Sequence, residues 1–323
     1  MRFQHFISVV SLVFVLSGCS VGQMMKNSFQ GNRYLENKDY EQGEVTFREA
    51  VAQNASDPLA NYYLGRFLLA QSKPQQALPY LEKAASLKKT DTDYLFWYGV
   101  ALGELGESIQ ERKSYQKVLE INGKHLQALT YLGHNQLKAK EYKAALATYQ
   151  KVLKISPYSP SALYNRALIT RLLKTPEEKA YWLAYLSNYP SGDLAIQATD
   201  HLNLLGDFSY RNHFLGGRTI TLKKIEFEPF TEKLAASSSP SLDVVGATAS
   251  NIGKGTLQVI VYQENNKKLA RSRADSIKKY LLVKFPGLTK DRIGISWFDQ
   301  PEIVKIQGKK FKNPESVQFF LTK

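Results

Sequence analysis

Small and large apolar residues recur along the first two thirds of this chain with a period longer than any single helix or strand. Gly31, Gly65, Gly99 and Gly133 stand 34 residues apart, and Ala167 continues the series. Twelve residues after each glycine come Gly43, Ala77, Glu111 and Ala145, and sixteen after come Phe47, Leu81, Tyr115 and Tyr149. Nineteen after come Ala50, Ala84, Val118 and Val152. A fixed period of this size marks stacked supersecondary units, none of which can bury its apolar face alone. The pattern predicts one helix pair per repeat, with the small residues letting the two helices approach and the large residue filling the space between neighbouring pairs. Repeats are expected at 24–57, 58–91, 92–125 and 126–159, with a worn fifth at 160–193 and a capping helix near 194–205. Glu111 stands in a small-residue column and predicts a distorted third repeat.

These columns resemble the tetratricopeptide repeat family, although only Pro157 matches its closing proline in register. The resemblance implies an all-α solenoid over 19–205 whose first helices line a concave groove. The family's groove positions fall on Tyr62 and Arg66 in the second repeat and on Asp93 and Phe96 in the third. In the fourth they fall on Gln127, Thr130 and His134, and in the fifth on Tyr164 and Arg171. Aromatic and arginine side chains dominate binding hot spots, so a protein partner held as an extended peptide or a helix is the expected ligand.

The period disappears after Leu205. Gly206 and the Gly216-Gly217 pair bracket a short polar stretch, and 206–218 is expected to be a linker. Strand alternation then appears from Thr219 to Phe227, followed by a helix through Val244 and Ala249. Gly255 to Gln263 is a β-branched strand, and Asn266 to Phe285 has a helical period with Leu269, Ala270, Ala274, Ile277, Tyr280 and Leu281 on one face. Arg292–Phe298 and Ser316–Leu321 complete a βαβαββ order, an α+β domain over 219–323.

The segment from Asn266 through Leu269, Arg273, Ala274, Ile277 and Tyr280 to Leu281 resembles the helix of OmpA-like domains, and Arg292-Ile293 with Trp297 to Pro301 resembles that family's next strand and loop. The resemblance implies peptidoglycan binding, with Arg273 on the carboxylate of diaminopimelate and Asn266 in the matching asparagine position. The family's ligand-binding aspartate has no counterpart, although Glu264 lies near its place. The closing arginines of the family are missing from Asn313-Pro314-Glu315-Ser316-Val317. This favours a protein-docking domain over a cell-wall tether. A local pairing of Arg273 with Asp275 or Glu264 is the structural alternative.

The chain ends and composition decide the expected address. Met1-Arg2 precedes a largely apolar run from Phe3 to Leu16, shorter than the roughly 20 residues a spanning helix needs. Leu16-Ser17-Gly18-Cys19 resembles the bacterial lipobox, which implies a signal peptide over 1–18 and lipidation, palmitate included, at Cys19. Ser20 in that family suggests the outer membrane, with the remainder facing the periplasm. Cys19 is the single cysteine, so no disulfide is expected. The formal net charge is +14, and from Asp207 to Lys323 there are 20 Lys and Arg against 11 Asp and Glu. Such a charge usually points to nucleic acid, which a periplasmic address disfavours. Anionic glycan, phospholipid headgroups or an acidic protein then become the candidate partners, beside a purely solubilising role. His5, His125, His134, His201 and His213 show no metal-ligand spacing, and no nucleophile motif appears. The chain is therefore expected to be no enzyme and to need no metal or cofactor. Its expected role is a scaffold or assembly factor for an envelope machine such as a pilus or secretion system, the alternative being a tether between outer membrane and cell wall.

Overall fold

In the computed structural model the described residues are 27–322. The expected signal segment and Cys19 lie outside them. The chain divides into two compact units, with the boundary along the chain between Pro157 and Tyr158.

The first unit is a series of antiparallel helix pairs. Helix α1 covers 27–37 and pairs with α2, Tyr40–Gln53. The next pairs are α3, Pro58–Ala70, with α4, Pro74–Leu87, and α5, Thr92–Glu104, with α6, Ser108–Ile121. Helices α7, Leu126–Lys138, and α8, Tyr142–Ile155, close the unit. From α2 onward each boundary repeats in the expected 34-residue register, the third pair included. The predicted columns do what their sizes require. A methyl group added at Gly99 would come within 2.7 Å of the Tyr115 ring, and one at Gly133 within 2.9 Å of the Tyr149 ring. Glycine is thus the residue that lets the two helices of a pair touch. Leu81, Tyr115 and Tyr149 are fully buried, and Leu81 contributes about 1.5–3 kcal/mol by leaving water.

Glu111 does not distort the third repeat. Its carboxylate accepts from Asn135 Nδ2 at 2.7 Å, and Asn135 Oδ1 accepts from Arg112 at 2.8 Å. A polar relay therefore occupies the place where the other repeats keep a small residue.

Two further columns emerge in three dimensions. Asp57, Asp91 and His125, again 34 residues apart, cap α3, α5 and α7. Their side chains accept from the backbone N–H groups of Leu59 at 2.9 Å, Asp93 at 3.1 Å and Ala128 at 3.1 Å. Each such cap is worth about 1 kcal/mol. The turn inside each pair holds a residue in the left-handed region, at φ of 61° for Lys38, 59° for Ser72, 81° for Gly106 and 60° for Lys140.

The second unit begins with α9, Pro160–Leu173, α10, Glu178–Asn188, and α11, Asp193–Leu204. Two strands follow, β1, Tyr210–Leu215, and β2, Arg218–Lys223, paired as an antiparallel hairpin. The expected linker at 206–218 is therefore mostly strand. Asn212 donates to Ile196 O at 3.0 Å and to Asp200 at 2.9 Å, and Asn203 donates to Tyr210 O at 2.8 Å. These bonds fasten α11 to β1, which is why the fifth helix pair clusters with the C-terminal region instead of ending a domain at 205.

Beyond the hairpin come α12, Ser239–Ile252, β3, Thr256–Gln263, α13, Lys267–Lys284, and β4, Ile293–Phe298. Strands β5, Glu302–Ile306, and β6, Lys309–Asn313, form a second hairpin before β7, Glu315–Thr322. The central sheet has the order β4-β3-β7, with β3 parallel to β4 and antiparallel to β7. Leu257, Val259 and Val261 alternate onto its buried face against Ala270, Ala274 and Ile277 of α13. The observed order, ββαβαββββ, contains the predicted elements and adds β1, β5 and β6.

Candidate partner-binding surface

The first helices of successive repeats in the first unit present a strip of mixed aromatic and charged groups. On α3, Arg66 Nη1 donates to Tyr62 Oη at 3.0 Å, while its guanidinium carbon lies 4.0 Å from the Trp97 ring centre on α5. Such cation–aromatic contacts contribute about 0.5–2 kcal/mol. Arg66 Nε is buried and has no acceptor. Tyr62 is itself buried, packed 4.8 Å from the Tyr94 ring, and burial pushes its phenol pKa up to about 12. Tyr62 therefore acts as a neutral hydrogen-bonding support that aims Arg66.

One repeat on, Asp93 keeps a side chain 66% exposed and lies 3.8 Å from His125 Nε2. Phe96 is not available to a partner. It is 1% exposed, between Tyr115 at 5.7 Å, His125 at 5.5 Å and Tyr131 at 5.3 Å. The groove expectation for Phe96 is corrected on that ground: three successive rings close over it. The aromatic that does reach the surface is Tyr131, 39% exposed and 5.8 Å from the His134 ring. Gln127 and His134 are exposed as expected. Trp97 and Tyr131 were missed from sequence because they stand one position off the family's groove positions, at Phe96 and Thr130.

Tyr164 and Arg171 belong to the second unit. Tyr164 is 8% exposed, donates to Gln197 at 2.9 Å and packs edge-on against Trp182 and Tyr185. Arg171 lies 3.8 Å from Glu178.

The two residues expected to bind peptidoglycan are both engaged inside the fold. Asn266 caps α13, its side chain accepting from Leu269 N at 2.9 Å. Arg273 is 2% exposed. Its Nη1 pairs with Glu315 at 2.7 Å and also donates to Gln263, its Nε donates to Thr231 O at 2.9 Å, and its guanidinium covers the Phe227 ring at 4.5 Å. The carboxylate partner is thus Glu315, supplied by β7, rather than Asp275 or Glu264. Glu264 pairs instead with Lys312.

Residues 30–93 and 126–159 match models of the tetratricopeptide repeat. No curated protein matches the chain. Among solved structures, PilF of Pseudomonas aeruginosa is similar with a TM-score of 0.51 at 17% identity, over 57% of this chain and 84% of that one. PilW, a widely conserved type IV pilus biogenesis factor, gives 0.50 at 18% identity, over 56% and 86%. YrrB, a tetratricopeptide protein with an unusual peptide-binding site, gives 0.46 at 19% identity, over 52% and 88%. The helical region is therefore a tetratricopeptide solenoid, an architecture that suits protein partners, and it is followed by a smaller strand-containing region.

Proposed function

We propose that this chain is an outer-membrane lipoprotein that scaffolds an envelope machine from the periplasmic side, with no catalytic step of its own. The observation that carries the reading is the strip of half-buried Arg66 and Trp97 with exposed Asp93, Gln127, Tyr131 and His134 on successive helices. It offers a half-buried guanidinium held between Tyr62 and Trp97, two accessible rings and an acceptor, the composition of an interaction hot spot. Lipidation at Cys19 would hold the chain at the membrane, since each buried methylene contributes about 0.8 kcal/mol. The fold shared with a pilus biogenesis factor supports looking for the partner among pilus or secretion components.

A photo-reactive residue placed at Gln127 tests the scaffold role in cells. The expected outcome is one dominant cross-linked partner that disappears with Arg66→Ala, and a spread of weak products unaffected by that change would refute it. Cys19→Ala should move the protein from the membrane to the soluble fraction, and persistence at the membrane would refute the anchor. A cell-wall tether receives less support, because Arg273 and Asn266 already have partners within the fold.

A further inference from the structure

The first unit carries a second recessed surface, away from the strip just described. A cleft of about 420 Å³ runs between α4 and α6, with α5 as its floor. Ala85, Leu95 and Tyr98 supply the apolar base, and Lys89, Lys113 and Lys117 stand around it. Leu95 follows Asp93 by two residues, roughly 200° around the helix, so the cleft uses the opposite face of α5 from the strip.

The charges there are arranged against the stability of the free protein. Lys113 and Lys117 are four apart on α6, a spacing at which like charges repel. Lys89 sits in the turn after α4 on the other side of the cleft. The ion pairs of this unit use Arg48, Lys73, Arg112 and His125. None of the three cleft lysines forms an ion pair among the described residues. Glu82 is the one carboxylate on the lining, and it lies close enough to Tyr98 to help burial raise that phenol's pKa. Three ammonium groups thus surround an apolar floor with a single opposing charge at its edge.

We infer that this cleft is a second docking site, for an acidic segment of a partner protein that carries an apolar anchor side chain. The anchor would lie over Leu95 and Tyr98, and flanking carboxylates would meet Lys89, Lys113 and Lys117. Charge complementarity favours this occupant over a second copy of the chain, whose excess is also positive at +14. A bilayer surface is disfavoured because the apolar residues here are recessed behind the lysines instead of projecting past them.

The test uses the full chain in neutral detergent and two labelled peptides, one of glutamates around a central Leu-Phe and one with lysines in their place. Fluorescence anisotropy should show saturable binding of the acidic peptide only. Reversal of Lys113→Glu with Lys117→Glu should weaken it about tenfold and let the lysine peptide bind instead. Lys89→Glu, which lies outside any helix, should weaken it without a folding risk, circular dichroism reporting the fold of each variant. Arg66→Ala should leave this binding unchanged, which separates failure here from failure of the strip. Equal binding of the acidic peptide by the reversed chain would overturn the inference. So would no binding, or charge-sensitive capture of phosphatidylglycerol vesicles in place of the peptide.

Discussion

The buried pair between Arg273 and Glu315 gives a test that separates a structural arginine from one kept for a ligand. Removing one partner of a buried pair costs about 3–5 kcal/mol, because the other is left charged and unmatched. Arg273→Met strands Glu315, whose side chain is 32% exposed and therefore still partly hydrated. It also removes the donor to Thr231 O and the cover over Phe227. The hydration still open to Glu315 places the variant near the low end, at about 3 kcal/mol, with those two losses included. Glu315→Ala strands a guanidinium that is 3% exposed, with only neutral acceptors left around it, and belongs at the same level or above. The double change Arg273→Met with Glu315→Met removes both charges and should cost less than the sum by at least about 1.5 kcal/mol. Hydrogen exchange of the β3 amides is the assay, since that strand sits between β4 and β7 and opens with the sheet. A loss of 3 kcal/mol corresponds to roughly a hundredfold faster exchange. Protection unchanged by Arg273→Met, together with loss of binding to peptidoglycan sacculi, would refute the structural assignment and restore the tether reading.

Gly133→Ala should cost about 1–3 kcal/mol by forcing the Tyr149 ring away from α7, read as a lower urea midpoint. A midpoint within experimental error of the parent would show that the helix pair has slack. His213 is buried, accepts from Phe319 N at 3.3 Å, and has its pKa lowered to about 4, first by burial and then by Arg211. The unfolded chain, with histidine near 6.5, takes up the proton first as pH falls. Stability is therefore full above pH 6.5 and declines toward pH 4, by an amount on the order of 3 kcal/mol from this residue. His213→Gln should flatten that part of the pH profile, and an unchanged slope would assign the acid sensitivity elsewhere. Asp57→Ala should lower the stability of the first unit by about 1 kcal/mol through loss of the α3 cap, and a change below a few tenths would show that water replaces it.

Much of the solenoid was legible because its period is written in side-chain size. Gly99 with Tyr115 and Gly133 with Tyr149 announce both the helix pairs and their closeness. The turn column was hidden because Lys38, Ser72 and Lys140 have nothing in common as side chains; they share only a backbone angle. Strand β1 read as linker because Asn212 and His213 are polar, and their burial depends on α11 and β7, which no local window contains. The β5–β6 hairpin was masked by Lys309, Lys310 and Lys312, which look like a solvated loop until Phe311 is seen packed edge-on at 5.7 Å from Phe208. Arg273 stands out in the sequence as a candidate ligand arginine, but its partner Glu315 arrives from a strand far along the chain, so the pair is not readable from the helix alone. Phe96 shows the remaining weakness of position-by-position transfer: a family register one residue wide decides between core and surface.

The left-handed turns have a consequence for how this array can be engineered. A non-glycine residue there is strained by roughly 1–2 kcal/mol, and Gly106 shows that the same turn accommodates glycine. Lys38, Ser72 and Lys140 are therefore three adjustment points, each confined to one repeat and none of them lining either proposed binding surface. In a solenoid stability is close to a sum over units and nearest neighbours, so glycine at any one of them would stiffen its own repeat, less the chain entropy that glycine adds to the unfolded state. The array can thus be graded along its length, firm at one end and yielding at the other, while every partner-facing side chain stays as it is.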